Sequence, residues 1–113
     1  MISFKKTILL DLDGVLNTYD GKFDENYIPP IKEGAFDFVK TLSENFNTKI
    51  FTARNLELVS KWVEENGLTK YINGITNIKE TNFLIIDDRC VNFRGDYSET
   101  LDVVENFSVW YKQ

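Results

Sequence analysis

The 113-residue chain predicts an α/β fold: a mostly parallel sheet in a three-layer sandwich, forming one domain. Three observations predict it. Short apolar runs alternate with stretches whose apolar residues recur every three or four positions, which is strand–helix–strand order. Of the first and last clear runs, Thr7-Ile8-Leu9-Leu10 reads as a strand buried on both faces and Asn82-Phe83-Leu84-Ile85-Ile86 as a buried strand. Each run is followed by side chains able to do chemistry, and open parallel sheets keep their ligand sites at the carboxyl ends of their strands.

In order along the chain, the Thr7–Leu10 strand is stopped by the turn-forming Asp13-Gly14. Residues 17 to 30 are polar and turn-rich. Asp20-Gly21 is a hairpin signal there and Pro29-Pro30 leads into a helix, so the segment reads as a loop or small flap. From Ile31 to about Phe46, the spacing of Ala35, Phe38, Val39, Leu42 and Phe46 predicts one helical face. A second strand follows at Lys49–Thr52 and a second helix at Asn55–Asn66, with Leu56, Val59, Trp62 and Val63 on one side and Gly67 as its stop. A third strand is expected around Gly74 to Ile78, and a buried strand over Asn82–Ile86 ends at Asp87-Asp88. Leu101 to Trp110 is read as a short helix and a closing strand. No internal repeat or linker divides the chain.

Composition narrows the chemistry. There is no histidine, which excludes a Ser-His-Asp triad, a Cys-His pair and any His-ligated zinc site. Cys90 is the single cysteine, so no internal disulfide forms; it reads as a buried structural thiol in a reducing, cytoplasmic protein. No apolar run approaches the length of a signal or a membrane span, so no membrane partner is expected. A net charge of −5 disfavours a broad electrostatic footprint on nucleic acid, though not a nucleotide or strand end as substrate.

The residues just past the runs are Asp11 and Asp13, then Thr52 and Arg54, then Lys79, then Asp87 and Asp88. In a parallel sheet these meet at one edge. Four carboxylates in one crevice oppose each other's ionisation unless a cation is present, and all-oxygen ligation selects Mg²⁺ over zinc.

This pattern resembles the haloacid dehalogenase superfamily of phosphotransferases. The likeness rests on Asp11-Leu12-Asp13-Gly14-Val15, then Thr52, then Lys79 in Thr76-Asn77-Ile78-Lys79, with Lys70 as the alternative lysine, then Ile85-Ile86-Asp87-Asp88-Arg89. It implies a Rossmann-like fold and a phosphatase acting through an aspartyl-phosphate. Asp11 would be the nucleophile and Asp13 the general acid and base. Mg²⁺ would be held by Asp11, the Asp13 backbone carbonyl and Asp88, with Asp87 in support. Thr52 and Lys79 would bind the phosphoryl group.

Thr52-Ala53-Arg54 and Asp87-Asp88-Arg89 are further similar to the 3′-phosphatase domain of phage polynucleotide kinases, which suggests Arg54 as a second phosphate clamp and Arg89, Arg94 and Asp96 as rim residues. In the flap, Tyr19, Phe23 and Tyr27 would cover the site, stack on a base or pack on the body; Trp62 and Trp110-Tyr111 read as packing. The intervals between motifs leave no room for a substantial cap domain. A capless site admits large phosphorylated substrates such as a nucleic acid end, a protein or a glycan precursor. Two other readings share the constellation: a receiver-like signalling domain, which expects the acidic pair first in the chain rather than last, and a catalytically idle binding protein of the same fold.

Overall fold

Thr7–Asp11 forms the central strand, β1, and its Ile8, Leu9 and Leu10 are buried because both faces of the strand are covered. The computed structural model describes residues 5–113. After β1 come α1 (Ala35–Asn45), β2 (Asn47–Phe51), α2 (Leu56–Glu65), β3 (Gly74–Thr76), β4 (Leu84–Ile86), α3 (Tyr97–Glu105) and a 3-10 turn at Trp110–Lys112. The strands make one all-parallel sheet in the order β3-β2-β1-β4, flanked by the three helices: a small Rossmann-like α/β domain with no cap among the described residues.

Register decides which side chains share a face. Leu10 lies beside Ile50 of β2 and Ile86 of β4. Ile8, Leu10 and Ile50 form one core with Ala35 and Val39 of α1 and with Val59, Trp62 and Val63 of α2. The chain steps from β1 to β2 to β3 in one direction, so right-handed crossovers put both helices on that face. The return from β3 to β4 passes over the other face, where Glu80 pairs at 2.8 Å with Lys49, whose side chain alternates with that of Ile50. No helix among the described residues is long and apolar enough to cross a membrane.

The flap is tied at its neck. Asn17 bridges Ile31 in antiparallel fashion, the Thr18 N–H donates to the Pro30 carbonyl at 2.9 Å, and the Lys32 N–H donates to the Leu16 carbonyl at 2.9 Å. Ile28 is buried in the core, while Trp62 Nε1 donates to the Pro29 carbonyl at 3.2 Å. The expected hairpin at Asp20-Gly21 has no ladder beyond that single bridge.

Several boundaries differ from the sequence expectation, each for a local reason. The first helix begins at Ala35, not Ile31, because Ile31 is spent on the bridge and Gly34 enters the helix with φ 88°, a conformation open to glycine. β2 starts at Asn47 and ends at Phe51 rather than running from Lys49 to Thr52. β3 stops at Thr76, whose hydroxyl turns the chain by accepting from the Ile78 N–H at 3.0 Å. The expected buried strand over Asn82–Ile86 is the short edge strand Leu84–Ile86, only partly buried, with Leu84 39% exposed. The last helix starts earlier, at Tyr97, because Asp96 caps it through the Glu99 N–H. In place of the closing strand the chain makes the 3-10 turn. Cys90 is exposed and is not a buried structural thiol.

Candidate functional site

β1 and β4 are hydrogen-bonded neighbours, so the residues leaving their carboxyl ends emerge side by side. Asp11 is the last residue of β1, and Asp87 and Asp88 follow β4 directly. One carboxylate oxygen from each of the three lies within 4.8 Å of the others. Burial, reinforced by the charges of Asp87 and Asp88, pushes the Asp11 carboxyl up to about 8. Burial also raises Asp88, whose Oδ2 is enclosed with no hydrogen-bond partner. That oxygen lies against Gly14, where φ is +84°; a Cβ at this position would collide with it. Glycine is therefore required both by the backbone and by Asp88. Three converging carboxylates with an orphaned buried oxygen are a donor set suited to a hard divalent cation.

Asp13 turns away from this cluster. Its Oδ2 accepts from Arg54 Nε at 2.8 Å and its Oδ1 accepts from Asn17 Nδ2 at 3.0 Å, so both oxygens are bonded as a carboxylate's are. Asn17 is fully buried, and its Oδ1 accepts from the Gly14 and Tyr19 N–H groups, fixing the loop after β1. Nothing in the sequence reading singled out Asn17. An amide directly after the apolar Leu16, four residues past Asp13, was the available signal.

Arg54 lies in the bend between β2 and α2, with its side chain only 1% exposed. Its Nη1 donates to the flap carbonyls of Asp24 at 2.8 Å and Tyr27 at 3.2 Å, and the Phe23 ring centroid is 4.6 Å from Cζ. Nη2 is buried without a partner. Because Nη2 projects from the same edge of the guanidinium as Nε, it faces the Asp13 side. Thr52 is buried at the end of β2; its hydroxyl oxygen accepts from the Arg54 N–H at 3.1 Å, which leaves its proton free to donate.

A cavity of about 310 Å³ gathers Asp11, Asp13, Thr52, Arg54, Asp87 and Asp88, with Arg89 at its edge. Arg89 donates to the Tyr111 hydroxyl at 3.0 Å, and Tyr111 meets Tyr19 edge-on with centroids 6.1 Å apart. Trp110 Nε1 donates to the Gly14 carbonyl at 2.9 Å across 96 residues. The Trp110-Tyr111 pair is thus part of the frame of the site. Asn77 lines an adjoining space with Asp11 and Thr52.

Lys79 is exposed, follows β3, and lines neither space. Lys70 precedes β3; the neighbouring Asn73 N–H donates to the carbonyl of Thr48 near the start of β2, so Lys70 belongs to the opposite edge of the sheet. Asp96 is the α3 cap and Arg94 is exposed outside the cavity lining.

No protein-family profile matches the chain, and no curated protein matches it. Among solved structures it is similar to a conserved protein from Bacteroides thetaiotaomicron, with TM-score 0.60 and 20% identity over 96% of both chains. That likeness is one of fold: a small α/β domain of the same extent.

Proposed function

We propose that the chain is a Mg²⁺-dependent phosphohydrolase of the haloacid dehalogenase type, cleaving a phosphate monoester through an aspartyl-phosphate on Asp11. The observation that carries the reading is the convergence of Asp11, Asp87 and Asp88 beside a free Thr52 hydroxyl proton and an unpartnered Arg54 Nη2. Asp11, Asp88 and Asp87 would hold Mg²⁺, with the Asp13 carbonyl as a further ligand. Bound there, the ion would neutralise the carboxylates and the phosphate so that a nucleophile and an anion can approach.

Asp11 attacks phosphorus, and the bond to the leaving oxygen breaks with its electron pair staying on that oxygen, which takes a proton from the Asp13 carboxyl. Water then attacks the aspartyl-phosphate, Asp13 accepts the water's proton, and the phosphorus–Asp11 bond breaks to release inorganic phosphate and restore the carboxylate. Asp13 thus gives a proton in the first half and regains it in the second, and the bonds from Arg54 Nε and Asn17 Nδ2 hold it in place for both. Thr52 and Arg54 Nη2 donate to phosphoryl oxygens. Lys79 remains the proposed charge-neutralising lysine; it stands exposed on the loop after β3, outside the cavity lining, and would have to swing inward to serve the phosphoryl group. The cytoplasm is proposed as its compartment on the single cysteine.

Phosphate release from acetyl phosphate and p-nitrophenyl phosphate with Mg²⁺ is the test. Asp11→Asn is expected to lower kcat on the order of a thousandfold or more, as loss of a covalent nucleophile does. Activity surviving this change would sink the assignment. A stable phospho-protein without phosphate release would make the chain a phospho-acceptor domain instead.

A further inference from the structure

We infer that a second cavity, beside the acidic one, holds the leaving group of the substrate and takes a planar, uncharged ring. The inference rests on the phosphohydrolase reading for the direction in which the leaving group departs. The second cavity has a volume of about 470 Å³, within the range of small-molecule sites, and is lined by Phe23, Glu25, Asn26, Arg54, Asn55 and Leu58. It shares Phe23 and Arg54 with the cavity that contains Asp11. The two spaces therefore adjoin across the Phe23–Arg54 stack.

Asp13 stands at the same junction, through its 2.8 Å bond to Arg54 Nε. Since Asp13 is the group that would serve the leaving oxygen and then the water that replaces it, the rest of the leaving group passes Arg54 and Phe23 into the second cavity.

The walls specify what fits. Arg54 is locked by its bonds to Asp13, Asp24 and Tyr27, which pins the Phe23 ring on one face, while Phe23 remains 60% exposed. An aromatic ring seated on a fixed guanidinium, with most of its surface open in a cavity that the apolar Leu58 also lines, is a stacking platform. Asn55 uses its Oδ1 to cap α2 through the Leu58 N–H, and its Nδ2 has no partner among the described residues. That Nδ2 and the Asn26 amide offer hydrogen bonds to the edge of a heterocycle.

Charge sets the limit. Glu25 is in the wall, and the one cation there, Arg54, is committed to Asp13, to flap carbonyls and to the phosphoryl side. A leaving group carrying a chain of phosphodiesters would meet a carboxylate with nothing to balance it. The leaving group is accordingly a small ring-bearing alcohol, such as a nucleoside, rather than a polynucleotide strand.

Adenosine 5′-monophosphate and ribose 5-phosphate present the same phosphorylated alcohol and differ by the ring. Their affinities for the Asp11→Asn chain with Mg²⁺, read by calorimetry, are expected to differ roughly tenfold or more in favour of adenosine 5′-monophosphate, the scale of one base–aromatic stack. Phe23→Ala should bring the two within about twofold, and Phe23→Tyr should restore the gap. The inference is overturned by equal affinities, by absence of binding of both at millimolar concentration, by a preference that survives Phe23→Ala, or by tighter binding of a 3′-phosphorylated oligonucleotide. Phosphate release by the unaltered chain is scored separately: its absence with every monoester overturns the phosphohydrolase reading, while the ring preference is read from binding alone.

Discussion

The chain from Ile8 to Leu68 and the chain from Phe83 onward supply the two halves of the acidic cluster, yet they are held in different ways. The first part carries the core, with Leu10, Ile50, Val39 and Val59 fully buried between the sheet and two helices. In the second part Val109 is the one buried hydrophobic residue among those described, α3 buries none, and Phe93, Tyr97, Leu101 and Val104 are exposed. β4 is tied to the first part by its ladder with β1, by Ile86 against the core and by Phe83 stacked on Phe46, whereas the chain beyond it is held mainly by directional links, Trp110 to the Gly14 carbonyl at 2.9 Å and Tyr111 edge-on to Tyr19. Local stability follows packing density, so Asp11 is fixed by the core while Asp87 and Asp88 rest on a few directional links. The three carboxylates converge on supports of unequal packing, and on the proposed reading Mg²⁺ would bind the two together.

The largest expected effect tests the packing contrast. Ile50→Ala should lower unfolding free energy by about 2–5 kcal/mol, the cost of a cavity in a filled core. Leu101→Ala, on the exposed face of α3, should cost no more than about 0.5 kcal/mol. Urea denaturation midpoints at unchanged slope give both numbers. A cost above about 1 kcal/mol for Leu101→Ala would mean that α3 is packed in solution, and the contrast would fail.

Next in size is the cost of burying the Asp11 carboxylate beside Asp87 and Asp88 without a cation. Asp11 is raised from 3.8 to about 8, so between those values the folded chain holds a proton that the unfolded chain has released. Stability of the metal-free protein must then fall as pH rises from about 4 to about 8, by roughly 2–3 kcal/mol once solvent screening is discounted. Thermal melts across that range should show the decline, Asp11→Asn should flatten it, and Mg²⁺ should raise Tm more at pH 8 than at pH 5. A melt that is flat in pH, or equal Mg²⁺ effects at both values, would show that Asp11 is neither buried nor crowded by Asp87 and Asp88 in solution as it is in the fold.

The same contrast explains what the sequence made legible. The strand–helix alternation through residue 68 was readable because burial there follows period: Ile8-Leu9-Leu10 for a covered strand, Val59, Trp62 and Val63 for a helix face. The convergence of Asp11 with Asp87 and Asp88 followed from parallel order alone. Past β4 the periodicity carries less information, because α3 buries nothing that would constrain its apolar spacing, and the helix was placed four residues late. The apolar spelling of Asn82–Ile86 hid an edge strand, since register with β1 and not composition decides which strands have two neighbours. Asn17, Trp110 and the Asp13–Arg54 pair were invisible for a related reason: each depends on a hydrogen bond between a loop and something distant or irregular, and such bonds leave no period in the sequence.

The smallest expected effect is the one that bears most closely on how the second half is held. Trp110 donates its indole N–H to the Gly14 carbonyl, and Gly14 is the residue against which Asp88 Oδ2 lies. Trp110→Phe keeps the ring and removes the donor, so global stability should change by about 1 kcal/mol or less, the net worth of one hydrogen bond at a partly exposed position. Freed from that bond, the Asp11–Gly14 turn no longer presses a fixed surface against Asp88. Mg²⁺ affinity, read by calorimetry, should therefore weaken by roughly threefold to tenfold, because a ligand whose support is loosened pays ordering entropy on binding. Ile50→Val is the matching control: it removes about 1 kcal/mol from the core but touches no link to the acidic pair, so its Mg²⁺ affinity should stay within about twofold. Equal affinities in Trp110→Phe and Ile50→Val would show that the carboxylates are positioned by the core after all, and that the carboxy-terminal clamp on Gly14 is packing without consequence for the site.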